Sequence, residues 1–354
     1  MKFKDFLSSF SYLLSESPKE TLAPGGRFVF MSDLHLGDGG SRDDLAPNRG
    51  LVQNALARWY LERGFTLVLN GDIEDLSKFR WREIREAWGG LFEIFDAFHK
   101  AGRLRRIVGN HDLGLLARND YPYALTHSLA LDWNGHSLFA FHGHQASRFF
   151  VKYDYLSEFI VRYLAKPLTI RNSGVSGDSR YRYHTERLIY KASRRLGLVS
   201  ITGHTHRPLF ESHSKYESLR YSIEELLREF PKAKAARKNE IAELIEVYRR
   251  ELARVDRKKL RRDLGSSLYG HNDFLVPSLF NSGCATGKKG FTALEIEGEA
   301  IALVQWTGVK GPRTYVEGES VEHSLLEGTP YSRYVMRRAA LEEVFTRIDL
   351  LGRD

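Results

Sequence analysis

Five short segments hold most of the residues able to do chemistry: Asp33-Leu34-His35, Asn70-Gly71-Asp72, Gly109-Asn110-His111-Asp112, His142-Gly143-His144 and Gly203-His204-Thr205-His206. Carboxylate and amide oxygens with imidazole nitrogens, and no thiolate among them, suit borderline-to-hard divalent ions such as Mn²⁺, Fe²⁺ or Zn²⁺. So many donors exceed what one ion takes up, which implies two. A pair of such ions activates water and neutralises negative charge that develops at a reacting centre. Each segment taken alone is weak, since Gly-Asp after a strand is a common turn. The specific signal is the complete ordered set.

The elements that must position these residues are legible from their flanks. Short apolar runs at Phe28–Met31, Thr66–Leu69, Leu104–Val108, Ser137–Phe141 and Leu198–Thr202 read as buried strands, and each runs directly into one of the five segments. Amphipathic helical patterns fill the gaps, notably at 51–63 and 81–100. The steps of 39 residues from Asp33 to Asp72 and 38 from Asp72 to Asn110 match the pace of strand–helix units. This alternation predicts an α/β domain with a largely parallel sheet core, whose ligands gather beyond the carboxyl edge. Three further strands near 276–281, 291–297 and 300–306 follow without helices between them, two of them as a hairpin through Glu297-Gly298-Glu299. They predict a second sheet or an antiparallel edge.

The ordered set resembles the signature of the calcineurin-like metallophosphoesterases: Asp-x-His, Gly-Asp, Gly-Asn-His-Asp/Glu, His, Gly-His-x-His. It is present here as Asp33–His35, Gly71–Asp72, Gly109–Asp112, His142 and Gly203–His206, across residues 25–306 apart from two irregular stretches. The resemblance implies a four-layer α/β/β/α sandwich with a dinuclear site, with Mn²⁺ the first choice and Fe or Zn the alternatives. It implies that Asp33, His35 and His206 bind one ion, that Asn110, His142 and His204 bind the other, and that Asp72 bridges both. His111 would stay unligated near the leaving group. Asp75 matches a carboxylate that orients this histidine in protein-phosphatase relatives, although the arginine that follows it there is Leu76 here. His144 is the alternative to His142.

The activity implied is hydrolysis of a phosphoester or pyrophosphate by metal-activated hydroxide. His111 is suited to protonate the leaving oxygen, because an imidazole titrates near neutral pH. Within the family, Ser-Asp-Leu-His-Leu-Gly, Gly-Asp-Ile-Glu-Asp-Leu and Gly-His-Thr-His-Arg-Pro look like the UDP-2,3-diacylglucosamine pyrophosphatase branch. That likeness implies a lipid-linked sugar nucleotide as substrate. Gly-Asn-His-Asp departs from the branch, which commonly has Arg after Asn.

The rest of the chain sets bounds. Its 354 residues carry a net charge of +8, which suits an anionic or phosphate-bearing partner without distinguishing nucleotide, nucleic acid and lipid headgroup. A single cysteine, Cys284, excludes an internal disulfide framework and is expected to be a small buried residue. No apolar run approaches a membrane span, and the N-terminus does not read as a secretory signal, so the cytoplasm is the expected compartment.

Residues 1–24 read as an amphipathic helix, either docked on the domain or lying on the inner face of a membrane. Residues 25–320 form the expected catalytic domain, with insertions at 145–190 and 214–270, and 321–354 are expected to be a helical tail. The first insertion carries an aromatic segment, 149–168, suited to an acyl-binding lid or an ordinary core helix. The second has two apolar stripes either side of Pro231 and predicts a helical hairpin, with 15 Lys/Arg against 10 Asp/Glu. That basic hairpin motivates an alternative, a nuclease or nucleotide phosphodiesterase of the same fold. A binding scaffold without activity is the third reading, disfavoured because every ligand position is retained. Arg80, Arg148, Arg180 and Arg182 are candidate phosphate or carboxylate grips at the rim. His184, His213 and His271 are expected at the surface or behind the ligands.

Overall fold

The computed structural model describes residues 3–146, 179–213, 215–260, 275–287, 290–308 and 320–352. The aromatic segment 149–168, with Arg148 and His271, lies outside them, as do the side chains of Arg180 and Arg182. Among the described residues no helix is long and apolar enough to cross a membrane.

Two sheets form the centre. In the larger, β2 (Arg27–Met31), β3 (Thr66–Asn70), β4 (Leu104–Ile107) and β5 (Leu125–Thr126) run parallel. Beyond β2 the sheet continues antiparallel through β10 (Phe291–Glu297), β11 (Ala300–Thr307), β13 (Ser332–Ala340) and β12 (Glu322–Leu325). The smaller sheet has the order β1 (Lys19–Thr21), β6 (Ser128–Trp133), β7 (His136–Phe141), β8 (Val199–Thr202) and β9 (Leu279–Asn281), with β7, β8 and β9 parallel.

The central strands read as unbroken apolar runs because both of their faces are buried. On β2, Phe28 and Phe30 face the core between the sheets, while Val29 and Met31 face the core under the outer helices. Those helices are α2 (Arg49–Asn54, continued by a π-helical turn at Ala55–Leu61), α3 (Trp81–Ala87) and α4 (Gly89–Lys100). On the opposite side α1 (Phe3–Ser15) and α5 (Ser179–Leu196) cover the smaller sheet. The result is the expected four-layer α/β/β/α sandwich.

The N-terminal helix takes the docked reading, but it spans Phe3–Ser15 and not the expected 1–24, because Lys19–Thr21 pair with β6 as strand β1. Phe6 and Phe10 are buried, and the Phe10 ring lies 5.3 Å from Phe139 and 5.4 Å from Phe141. An apolar stripe already packed into the core is not available to a lipid surface.

The second insertion is the expected hairpin, α6 (Lys215–Glu229) and α7 (Ala235–Leu260), joined through a 3₁₀ turn that holds Pro231. The C-terminal stretch corrects the sequence reading. Residues 321–354 are not a helical tail: β12 and β13 precede the final helix α8 (Leu341–Leu351) and extend the larger sheet. Arg333 on β13 is buried and ion-paired with Glu295 and with Glu322 at 3.0 Å. Cross-strand charge pairing, not helical periodicity, sets this segment's pattern.

A second buried arginine fixes the loops that follow β3 and β4. Arg106 is held 2.5 Å from both Glu74 and Asp112, and all three side chains are fully shielded from solvent. Asp112 Oδ2 also accepts the Ile73 N–H at 2.8 Å, so one carboxylate ties the third segment to the second. Replacing Arg106 by leucine strands two carboxylates in the interior, and we expect a loss of about 3–5 kcal/mol. Urea denaturation of the variant checks this, and a loss under about 1 kcal/mol would contradict it.

Candidate metal centre

The parallel strands of both sheets end at one edge of the sandwich. From the larger sheet, β2 delivers Asp33 and His35, β3 delivers Asp72, and β4 leads to Asn110 and His111. From the smaller sheet, β7 delivers His142 and β8 delivers His204 and His206. The donor atoms of Asp33, His35 and His206 fall within 4.8 Å of one another, and so do those of Asp72, His142 and His204.

The chain turns sharply to achieve this. Eight non-glycine residues among those described have positive φ, and Asp33, His35, Asp72, His204 and His206 are five of them, at 51–65°. Left-handed backbone is unfavourable for such residues, and its concentration here marks a site that the surroundings hold in place. Two motif glycines serve close approach. A Cβ on Gly71 would overlap the His142 ring, and one on Gly109 would overlap the Asp72 carboxylate.

Neighbouring groups aim each donor inward. Asp33 Oδ2 accepts from the His204 N–H at 2.9 Å and from Ser32 at 2.5 Å. Its Oδ1 faces His206 Nε2 at 3.1 Å, with His35 and His142 each 3.9 Å away. Asp72 Oδ1 accepts the His111 N–H at 2.8 Å, which leaves Oδ2 3.1 Å from His142 Nε2. The Nδ1 of His142 lies 2.9 Å from the Asn70 carbonyl and donates to it, so Nε2 offers its lone pair to the centre.

Buried atoms without a hydrogen-bond partner mark where a ligand is needed. Asp33 Oδ1, His35 Nδ1, Asn110 Oδ1 and His142 Nε2 are four such atoms, all at this edge. A buried acceptor is costly unless something satisfies it, and a divalent cation suits this oxygen and nitrogen set.

Electrostatics gives the same answer. Burial alone would raise the Asp33 carboxyl, but His206 and His142 outweigh it and hold it at about 2. Asp72 is likewise held well below its ordinary value, against burial, chiefly by His142. Burial would keep the imidazoles neutral, yet Asp72 raises His142 to about 9 and Asp33 raises His206 to about 11. His204 is pushed down to about 3, by burial and then by the charge on His142. Two anionic carboxylates are therefore balanced by two protons taken up where cations would serve.

A third group of donors, His35, Asp75 and His111, also lies within 4.8 Å. Here a cation is already supplied by the chain, because Lys78 Nζ is 2.9 Å from Asp75 Oδ2. Asp75 Oδ1 faces His111 Nδ1 at 2.9 Å and accepts from Ser77 at 2.5 Å. This is the Asp75–His111 pair expected from the sequence. Lys78 occupies the role of cationic neighbour for which Leu76 is unsuited, and its position after a turn left no sequence signal.

Other supports escaped the sequence reading because they act across long separations. Ser282 pairs with Ser32 at 2.8 Å, and Asn281 Nδ2 donates to Gly203 O at 2.7 Å. Cys284 is half-buried rather than buried, and its sulfur helps to raise the pKa of His206 after the larger effect of Asp33. His144 is buried beside His142, with ring centroids 5.5 Å apart, but does not belong to either donor group. Arg80 and His184 are exposed. His213 stacks on Tyr221, away from the ligands.

No protein-family model matches the chain, and no curated protein matches it. Among solved structures it is similar to a conserved uncharacterised protein of Streptococcus pneumoniae TIGR4, described as a predicted phosphoesterase. The identity is 11%, over 80% of this chain and 89% of that one, with a TM-score of 0.29. It is also similar to Yfce, a phosphoesterase from E. coli, at 12% identity over 89% of this chain and 99% of that one, with a TM-score of 0.33. Likeness at this level lends no weight to a functional assignment, which rests on the site itself.

Cation uptake must displace the protons on His142 and His206, whose raised values keep them protonated at neutral pH. We expect Mn²⁺ binding at pH 7 to release about two protons, and affinity to keep rising as pH approaches about 9. Calorimetry in two buffers of different ionisation enthalpy measures this. Identical heats in both would contradict it.

Proposed function

We propose that the chain is a metal-dependent phosphoesterase with a dinuclear centre. Asp33, His35 and His206 would hold one divalent ion, Asn110, His142 and His204 the other, and Asp72 would bridge them. Mn²⁺ is our first choice. The observation that carries this reading is the convergence of two donor triads, each drawing on strand ends of both sheets, with Asp33 Oδ1 and His142 Nε2 buried and unsatisfied among them. When bound, such ions polarise a phosphoryl oxygen and lower the pKa of a water.

The chain's own groups supply the rest. His111 is the acid for the leaving oxygen. Burial disfavours its charged form, but the hydrogen bond to Asp75 and the charge of Asp72 prevail, and its pKa is raised. Because Nδ1 donates to Asp75, Nε2 is the nitrogen that would present a proton to a substrate oxygen. Asp75 keeps its negative charge through the His111, Ser77 and Lys78 contacts, against its burial. It therefore fixes the orientation of the ring and the protonation state at once.

The substrate we place first is a UDP-sugar lipid, on the strength of the motif resemblance within Ser32–Gly37, Gly71–Leu76 and Gly203–Pro208. The hairpin gives the nuclease alternative little support. Its Arg237 is paired with Glu229 at 2.9 Å and Glu240 at 3.2 Å, and Arg249 with Glu246 at 2.9 Å. Arginines engaged by neighbouring glutamates behave as a solvated helix surface and are poor phosphate grips.

Two outcomes test these assignments. His111→Ala should retain metal and lower kcat by about 10²- to 10⁴-fold. In the wild type kcat should fall on the alkaline side as His111 loses its proton. Asp75→Asn removes the anion that raises the His111 pKa, so that limb must move to lower pH. A limb left in place, or metal lost from His111→Ala, would overturn the role given to His111. For substrate, turnover of acylated UDP-sugars should exceed that of deacylated ones, and salt-sensitive cleavage of single-stranded DNA should be absent. Equal turnover together with DNA cleavage would favour the nuclease.

A further inference from the structure

Glu186 lies on the buried face of α5 and is 1% exposed. Its Oε1 accepts from Thr205 Oγ1 at 2.8 Å, and its Oε2 from Arg207 Nη2 at 2.6 Å. Thr205 is the residue between His204 and His206, and both histidines have positive φ, 65° and 55°. The same hydroxyl accepts from Asn281 Nδ2 at 3.1 Å, at the end of β9. The tight turn itself closes with the Thr205 N–H on Gly203 O at 2.7 Å.

Burying a carboxylate is costly unless it is paired and hydrogen-bonded. Here Thr205 and Arg207 both come from the stretch His204–Arg207, which supplies one donor to each of the two triads. The strained backbone of that turn needs outside contacts to persist.

We propose that Glu186 is a positioning residue for the metal centre: through Thr205 it holds His204 and His206 in the left-handed geometry that points them at separate ions. The inference rests on the dinuclear reading above. Glu186 touches neither ion nor substrate and acts only by fixing where two ligands stand. Outer partners of ligands typically change metal affinity by about 10- to 100-fold when removed.

Cobalt(II) titration followed by visible absorption tests this on the full chain. Thr205→Val is nearly isosteric and removes only the hydroxyl, so it is the main variant even where Glu186→Gln folds poorly. Thr205→Val and Glu186→Gln should bind cobalt about 10- to 100-fold more weakly and change the shape of the d–d bands. Thr205→Ser, which keeps the hydroxyl, should restore both.

Ser193→Ala separates positioning from general loosening of α5, because Ser193 bonds Ile189 O and Ser200, remote from the turn. It should keep wild-type affinity and bands whatever its thermal midpoint. Wild-type affinity and bands in Thr205→Val would overturn the role of Glu186 while leaving the metal centre intact. A wild-type chain that takes up no cobalt would instead overturn the metal centre, and this proposal with it.

Discussion

Asp33 and Asp72 are carboxylates with almost no exposure, set where the two sheets meet, and both stay ionised. Moving such a charge from water into a protein interior costs on the order of several kcal/mol per ion, so its surroundings must compensate. Much of the architecture at this edge follows from that requirement. One oxygen of each carboxylate is tied to a backbone N–H from another loop, and the other is presented to an imidazole from the smaller sheet. The left-handed turns bring the backbone donors into reach, and the motif glycines clear space for neighbouring ligands. The local conformations look costly one by one and are coherent once the carboxylates are taken as given.

The outer networks extend the same logic. Asp112 does not face the centre; it joins the second and third loops and is itself neutralised by Arg106. Glu186 plays the corresponding part on the other sheet, neutralised by Arg207. Both sheets thus use a buried acid paired with an arginine behind the donors. The donors stand on loops, which are the least rigid part of an α/β fold, and these pairs give them the precision that strands and helices would otherwise provide.

The candidate donor positions were legible because each sits at a strand end, next to an apolar run whose period and length speak for themselves. The sandwich followed from the strand–helix alternation and the motif resemblance together. What could not be read depends on contacts that leave no local trace. Strand β1 has three polar residues and exists because it pairs with β6. Strand β13 carries arginines whose partners, Glu295 and Glu322, lie on other strands. Lys78, Asn281 and Ser282 look like ordinary turn residues until the fold brings them beside Asp75, Gly203 and Ser32. Sequence periodicity reports which face is buried, not which distant polar group will share it.

The pairing of Ser32 with Ser282 spans 250 residues, and it closes the loop that carries Asp33. During synthesis the larger sheet's parallel strands can assemble early, because β2, β3 and β4 follow one another closely. The centre they face cannot be completed until β9 has emerged and Asn281 has met the 203–205 turn. A growing chain of some two hundred residues therefore presents Asp33 with its partners His204 and His206 still to come. Contacts this distant in sequence make closure of the centre a late and slow event. The nascent protein acquires the parallel half of its larger sheet well before it acquires its site.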